Sequence, residues 1–175
     1  MTTPHAELQT LSQNSGFVEL YVLDTTILGG TVYRFTNNVT AVGGSLSFNS
    51  QTYAALPITT TGWDFTSTGA PPKPTLTVSN VNKTLLSVVV SMGDLVGSTL
   101  TRYRTFEKFL DGGASPDGSQ FIGPEVYIIE QKIGHNKHYI TWQLSSIIDR
   151  MGMMLPRRQV LKDKGFPGVA RTRIR

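Results

Sequence analysis

The sequence predicts a mainly β fold: a barrel- or sandwich-like domain with one short helix, a long C-terminal hairpin and an extended basic C-terminal arm. Three observations carry that expectation. Short runs rich in Thr, Val, Ile and aromatic residues recur between turn residues every few positions. One run, Phe17–Asp24, is apolar on both of its sides, as in a strand covered twice. Past Asp149 the hydrophobic period dissolves and Lys and Arg accumulate.

Thr3-Pro4 starts a short N-terminal helix, with Thr at the N-cap, Pro at the first helical position and Leu8 and Leu11 on one side; Ser15-Gly16 ends it. In Phe17–Asp24, Phe17, Glu19, Tyr21 and Leu23 alternate with Val18, Leu20 and Val22. Gly29-Gly30 then turns the chain into residues 31–36, which reads as a hairpin. Gly43-Gly44, Asn49-Ser50 and Leu56-Pro57 punctuate short strands expected at 45–48, 51–54, 58–61 and 63–65. Ala70-Pro71-Pro72-Lys73-Pro74 is a stiff lead into Thr75–Ser79, and proline is tolerated at a strand entry. Residues 84–92, ended by Gly93, fit the one interior helix, although Val88-Val89-Val90 also suits a strand. A long strand over 99–110 follows, then a turn-rich loop over 111–118. Residues 125–133 and 138–148 pair as a long hairpin across Gly134-His135-Asn136-Lys137. The expected organisation is therefore 1–16 as N-terminal helix or arm, 17–149 as the β domain and 150–175 as an extended basic arm.

Composition narrows the chemistry. A chain of 175 residues is long enough to bury a core of its own. It contains no cysteine, which excludes disulfides, thiolate metal sites and a cysteine nucleophile within it. Residues 1–16 are polar, without a basic start or an apolar run, so neither a signal peptide nor a membrane span is expected. Charge is split unevenly. Arg150, Arg157, Arg158, Lys162, Lys164, Arg171, Arg173 and Arg175 are half of the sixteen basic residues and are opposed there only by Asp163. The other eight basic and eleven acidic side chains leave residues 1–149 at a formal −3.

No catalytic, cofactor-binding or metal site is assigned. His135 and His138 are near each other but lack a carboxylate in the same loop, and His5 is far off in sequence. Asp111 and Asp117 bracket a Gly-rich loop that fails the spacing of a calcium site, so an ordinary turn is expected there. The doublets Gly29-Gly30 and Gly43-Gly44 lack the Lys-Ser/Thr of a phosphate loop and read as turns. No G-x-S-x-G elbow occurs. The basic arm has the charge to contact nucleic-acid phosphates, but Phe166 is its one aromatic residue, which argues against base stacking.

Three stretches together resemble the phage minor tail protein L family of long, non-contractile tails. One is Val18-Glu19-Leu20-Tyr21-Val22-Leu23-Asp24 with Gly29-Gly30 and Tyr33-Arg34-Phe35. The next runs from Tyr53 and Pro57-Ile58 through Gly62-Trp63 to Pro74-Thr75-Leu76-Thr77-Val78-Ser79-Asn80. The last is Leu95-Val96-Gly97-Ser98-Thr99-Leu100-Thr101-Arg102, closing with Phe109-Leu110-Asp111 and followed by Leu155-Pro156 and Arg158. The resemblance implies a non-enzymatic virion protein of the tail tip, assembled in the host cytoplasm. Its partners would be the distal tail-tube ring, the central hub or host-recognition protein and further copies of itself, as a trimer. No membrane is involved, and DNA is only cargo in the tail channel. Longer relatives carry a cysteine-rich C-terminal domain with an iron–sulfur cluster, which a chain without cysteine does not carry over, so no cofactor is expected. The alternative reading is an isolated β-rich binding module for carbohydrate or nucleic acid. A tail-associated hydrolase ranks third, because cysteine–histidine chemistry is absent and zinc ligands are few.

Overall fold

Alternation along β1 (Phe17–Asp24) sends Tyr21 and Leu23 to one side and Val18, Leu20 and Val22 to the other, and each side meets its own apolar cluster. That double coverage is what the two-sided apolar pattern requires, and it makes β1 the wall between two cores. The computed structural model describes residues 3–9, 15–38, 44–64, 71–79 and 89–149.

A helix, α1 (Pro4–Gln9), opens the described chain, and the Thr3 hydroxyl accepts a hydrogen bond from the Ala6 amide at 3.3 Å, as the N-cap reading expects. After β1 come β2 (Val32–Thr36), β3 (Leu46–Phe48), β4 (Gln51–Ala55), β5 (Ile58–Thr61), β6 (Thr75–Ser79), β7 (Thr99–Phe106), β8 (Ile122–His135) and β9 (Tyr139–Ser146). They form one open nine-stranded sheet in the order β3-β4-β2-β1-β7-β8-β9-β6-β5. The expected β class holds. The pairings are antiparallel except for β2 beside β4, where Phe35 and Thr36 lie against Ala54 and Ala55 in parallel.

Strand order shows how this sheet bends. β4 is second from one edge and β5 is the opposite edge, yet only Leu56 and Pro57 separate them in the chain. The sheet therefore curls until its ends meet. The Leu56 amide donates to Thr36 O at 2.9 Å, and the Ser79 amide to Pro57 O at 2.9 Å. The larger core fills the curl: Tyr21, Leu23, Phe35, Ile58, Leu76, Leu100, Ile129, Ile140, Trp142 and Leu144 are all buried there. The smaller core lies on the outer side of β1, where Leu46, Phe48, Tyr53 and Leu110 cover Val18 and Leu20.

Local differences from expectation have identifiable causes. Trp63 and Asp64 are not in a strand, because Gly62 takes a left-handed φ of 81° and turns the chain out of the β5 ladder. The strand expected over 99–110 ends at Phe106 and tightens into a 3-10 turn over Glu107–Phe109. The expected hairpin strand from 125 begins earlier, at Ile122. Its pairing with β7 shifts between Arg102 and Arg104, so Pro124 sits where a bulge interrupts the ladder and no N–H is missed. Most of the interior helix expected over 84–92 lies outside the described residues; its described end, 89–91, is helical. Residues 150–175, and with them the expected arm, also lie outside the described residues. Among the described residues no helix is long and apolar enough to cross a membrane.

Candidate functional site

Alternation also places charge on an apolar side. Glu19 shares its side of β1 with Tyr21 and Leu23, while Arg102 and Arg104 share theirs with Leu100 and Phe106 on β7. Cross-strand register then sets Glu19 opposite Arg104, Tyr21 opposite Arg102, and Arg102 opposite Glu125 of β8. Four charged side chains are thus gathered at one end of the interior of the curl.

Arg102 is the centre of this group, with a side chain only 9% exposed. Its guanidinium donates through Nη2 to Glu19 Oε1 and through Nη1 to Glu125 Oε2 at 3.2 Å. The same group lies 4.3 Å from the centroid of the Trp63 ring, which stands edge-on to Tyr127 at 5.2 Å. Arg104 donates through Nη2 to the other Glu125 oxygen, Oε1. The Tyr21 hydroxyl donates to Glu19 Oε2 at 2.7 Å and lies 3.0 Å from Thr60 Oγ1 on the edge strand β5. Burial above all pushes the Tyr21 phenol well above its ordinary value, so it stays protonated and donates. Two guanidiniums face two carboxylates and each charge has an opposite partner, while the buried Nε of Arg102 and of Arg104 has no hydrogen-bond partner among the described residues. Chemically this arrangement is a clamp across β1, β7, β8 and β5.

A second constellation accounts for residues 95–98. Leu95 is buried against Ile129 and Trp142 although its φ is 62°, and the Trp142 indole donates to Asp94 O at 2.9 Å. Asp94 also pairs with Lys132. Gly97, at φ 89°, turns the chain so that its amide donates to Ile129 O at 2.9 Å and Ser98 O accepts from the Ile129 amide at 2.9 Å. The Leu-Val-Gly-Ser segment is the device that docks the start of β7 onto β8.

The residues weighed for chemistry are placed apart. His135 ends β8 and His138 lies in the exposed hairpin turn, where Asn136 Oδ1 accepts the amides of His138 and Tyr139 at 2.8 Å each; His5 is on the surface of α1. Among the described residues no three His, Asp or Glu side chains are grouped to hold a metal ion. Asp111 accepts from the Ser47 hydroxyl at 2.6 Å and the Ser50 amide at 2.9 Å, which ties the 111–118 loop to the β3–β4 turn. The Ser47 hydrogen bond above all holds the Asp111 carboxyl below its usual range. Asp117 binds Ser119 and Gln120 instead. Gly29 closes the turn after β1 with a φ of 80°, Gly44 lies just before β3, and Gly43 is outside the described residues. The eight basic residues from Arg150 onward lie outside them too.

The sequence placed Glu19 in the alternation of the first strand and Glu125 at the start of a hairpin strand, and Arg102 entered only with the resemblance; none was given a partner, and Arg104 was passed over. The signal was present: a charged residue on the apolar side of a two-sided strand must find a buried partner.

A family model described as phage minor tail protein L matches residues 26–166. The chain is also similar to the tail tip protein L of Escherichia phage lambda, 30% identical over 122 residues that cover 70% of this chain and 53% of that protein. It therefore spans about half the length of that curated relative.

Proposed function

The chain belongs to the phage minor tail protein L family, and on that premise we propose that it is a structural subunit of the virion at the tail tip. In this reading it joins the distal ring of a long, non-contractile tail tube to the central hub or host-recognition protein. It does so as a trimer assembled in the host cytoplasm. It acts through surface shape, without a catalytic constellation or a cofactor.

The observation that carries this reading is the ion pairing of Glu19, Arg102, Arg104 and Glu125 with one another. These charged side chains fix three central strands and the sheet edge against one another. Rigid β bodies of this kind suit a ring that must hold its shape while partners attach and DNA passes.

Residues 150–175 are proposed to serve assembly. With eight basic residues they have charge enough to bind phosphate. A strongly basic lining would, however, retain DNA in a channel through which it must slide. Truncation after Ile148 tests the assignment. Tails that no longer assemble are the expected outcome. Tails that assemble normally but eject DNA poorly would move the segment into the channel and overturn it.

A further inference from the structure

Alternation along β5, β6 and β9 sends Ile58, Leu76, Val78 and Ile140 into the larger core, so Thr59, Thr77, Ser79 and Tyr139 stand on the outer face of the sheet. Register gathers them. Thr59 lies opposite Thr77 and Ser79 opposite Tyr139, and the Ser79 amide holds the chain before β5 through Pro57 O at 2.9 Å. With Asn37, just after β2, and His138, in the β8–β9 turn, these residues line an open cleft of about 440 Å³. Ligand clefts span about 300–1,000 Å³. Asn136 Oδ1 accepts the amides of both His138 and Tyr139 at 2.8 Å, which fixes that rim before any ligand arrives.

The lining selects the chemistry of the occupant. Among the described residues it holds no Lys, Arg, Asp or Glu, so neither a phosphate nor a cation finds a charge partner there. The floor strand β6 is paired on both sides, by β5 and β9, and offers no free ladder edge to an extended peptide. What the cleft does offer is uncharged hydrogen bonding. The side chains of Asn37, Thr59, Ser79 and His138 and the Tyr139 hydroxyl have no hydrogen-bond partner among the described residues. Tyr139 is 46% exposed, which leaves aromatic surface beside those groups. A ligand that matches both features is uncharged, with hydroxyls around its edge and C–H groups on its faces. A sugar ring has that form.

We propose that this cleft binds a neutral saccharide, whose ring packs on Tyr139 while its hydroxyls bond to Asn37, Thr59, Ser79 and His138. The site is on the outer face, whereas the Arg102 group is inside the curl, and it does not depend on the tail assignment.

The test titrates the full-length 15N-labelled chain with neutral oligosaccharides of glucose, galactose, mannose and N-acetylglucosamine, and in parallel with oligothymidylate as an anionic probe. At least one saccharide is expected to bind at millimolar concentration and to shift the amides of Thr77, Ser79 and Tyr139 saturably. Tyr139→Ala then weakens binding by about tenfold. Tyr139→Phe, which keeps the ring, retains most of it, and Thr59→Val loses several-fold. Thermal unfolding of each variant checks that the body remains folded. No saturable shift with any of the four sugars, shifts confined to other surfaces, binding indifferent to Tyr139→Ala, or oligothymidylate binding at these residues in place of sugar would each overturn the proposal. Virion incorporation is scored separately: a chain present in virions without sugar binding sinks this site alone, and absence from virions sinks the tail reading alone.

Discussion

Arg102 is a buried cation whose partners come from two different strands, Glu19 on β1 and Glu125 on β8. Removing it takes the cation from Glu19 and one of two from Glu125, both largely withdrawn from water, and breaking a buried pair costs at most about 3–5 kcal/mol. Arg102→Met is therefore expected to lower the unfolding free energy measured in urea by about 2–5 kcal/mol, while Lys137→Met in the exposed hairpin turn stays within about 0.5 kcal/mol of the parent. A loss for Arg102→Met as small as for Lys137→Met would contradict the clamp. The site was half legible in the sequence. Glu19 stood visibly on the Tyr21 and Leu23 side of an apolar strand, but its partner lies 83 positions away, and no local pattern names a pairing across that distance.

At the scale of elements, periodicity and turn chemistry carried well where contacts are local. The Thr3 cap, the double-sided β1 and the hairpin of β8 with β9 all follow from residues close in sequence. Strand order did not follow, because the parallel contact of β2 with β4 and the curl through Leu56-Pro57 are set by packing between distant segments. The 111–118 loop shows the same division. Its turn residues were readable, while its attachment to β3–β4 through Asp111 was not. That attachment predicts an acid response. The Asp111 carboxyl titrates below its usual value of about 3.9, chiefly through the Ser47 hydroxyl. Its stabilisation is thus complete above that value and is lost as pH falls through the lower folded-state pKa. Amide exchange at Ser50, corrected for its intrinsic pH dependence, should accelerate in that acidic window. In Asp111→Ala it should be fast at neutral pH as well. A Ser50 amide equally protected in Asp111→Ala and the parent would show that the loop is not what holds the turn.

For the whole molecule, the division of charge is the feature that folding alone does not explain. A body of formal −3 adjoins a segment with eight bases and one acid. Together with membership of the phage minor tail protein L family and a curled sheet whose buried charges are mutually paired, this describes a building block. The most direct measurement of that claim is quantitative mass spectrometry of purified phage particles made during infection. The account predicts this chain in every particle, at a fixed low copy number divisible by three, and retained through density-gradient purification. Particles that are complete and infectious yet lack the chain, or carry it in amounts that vary between preparations, would contradict it.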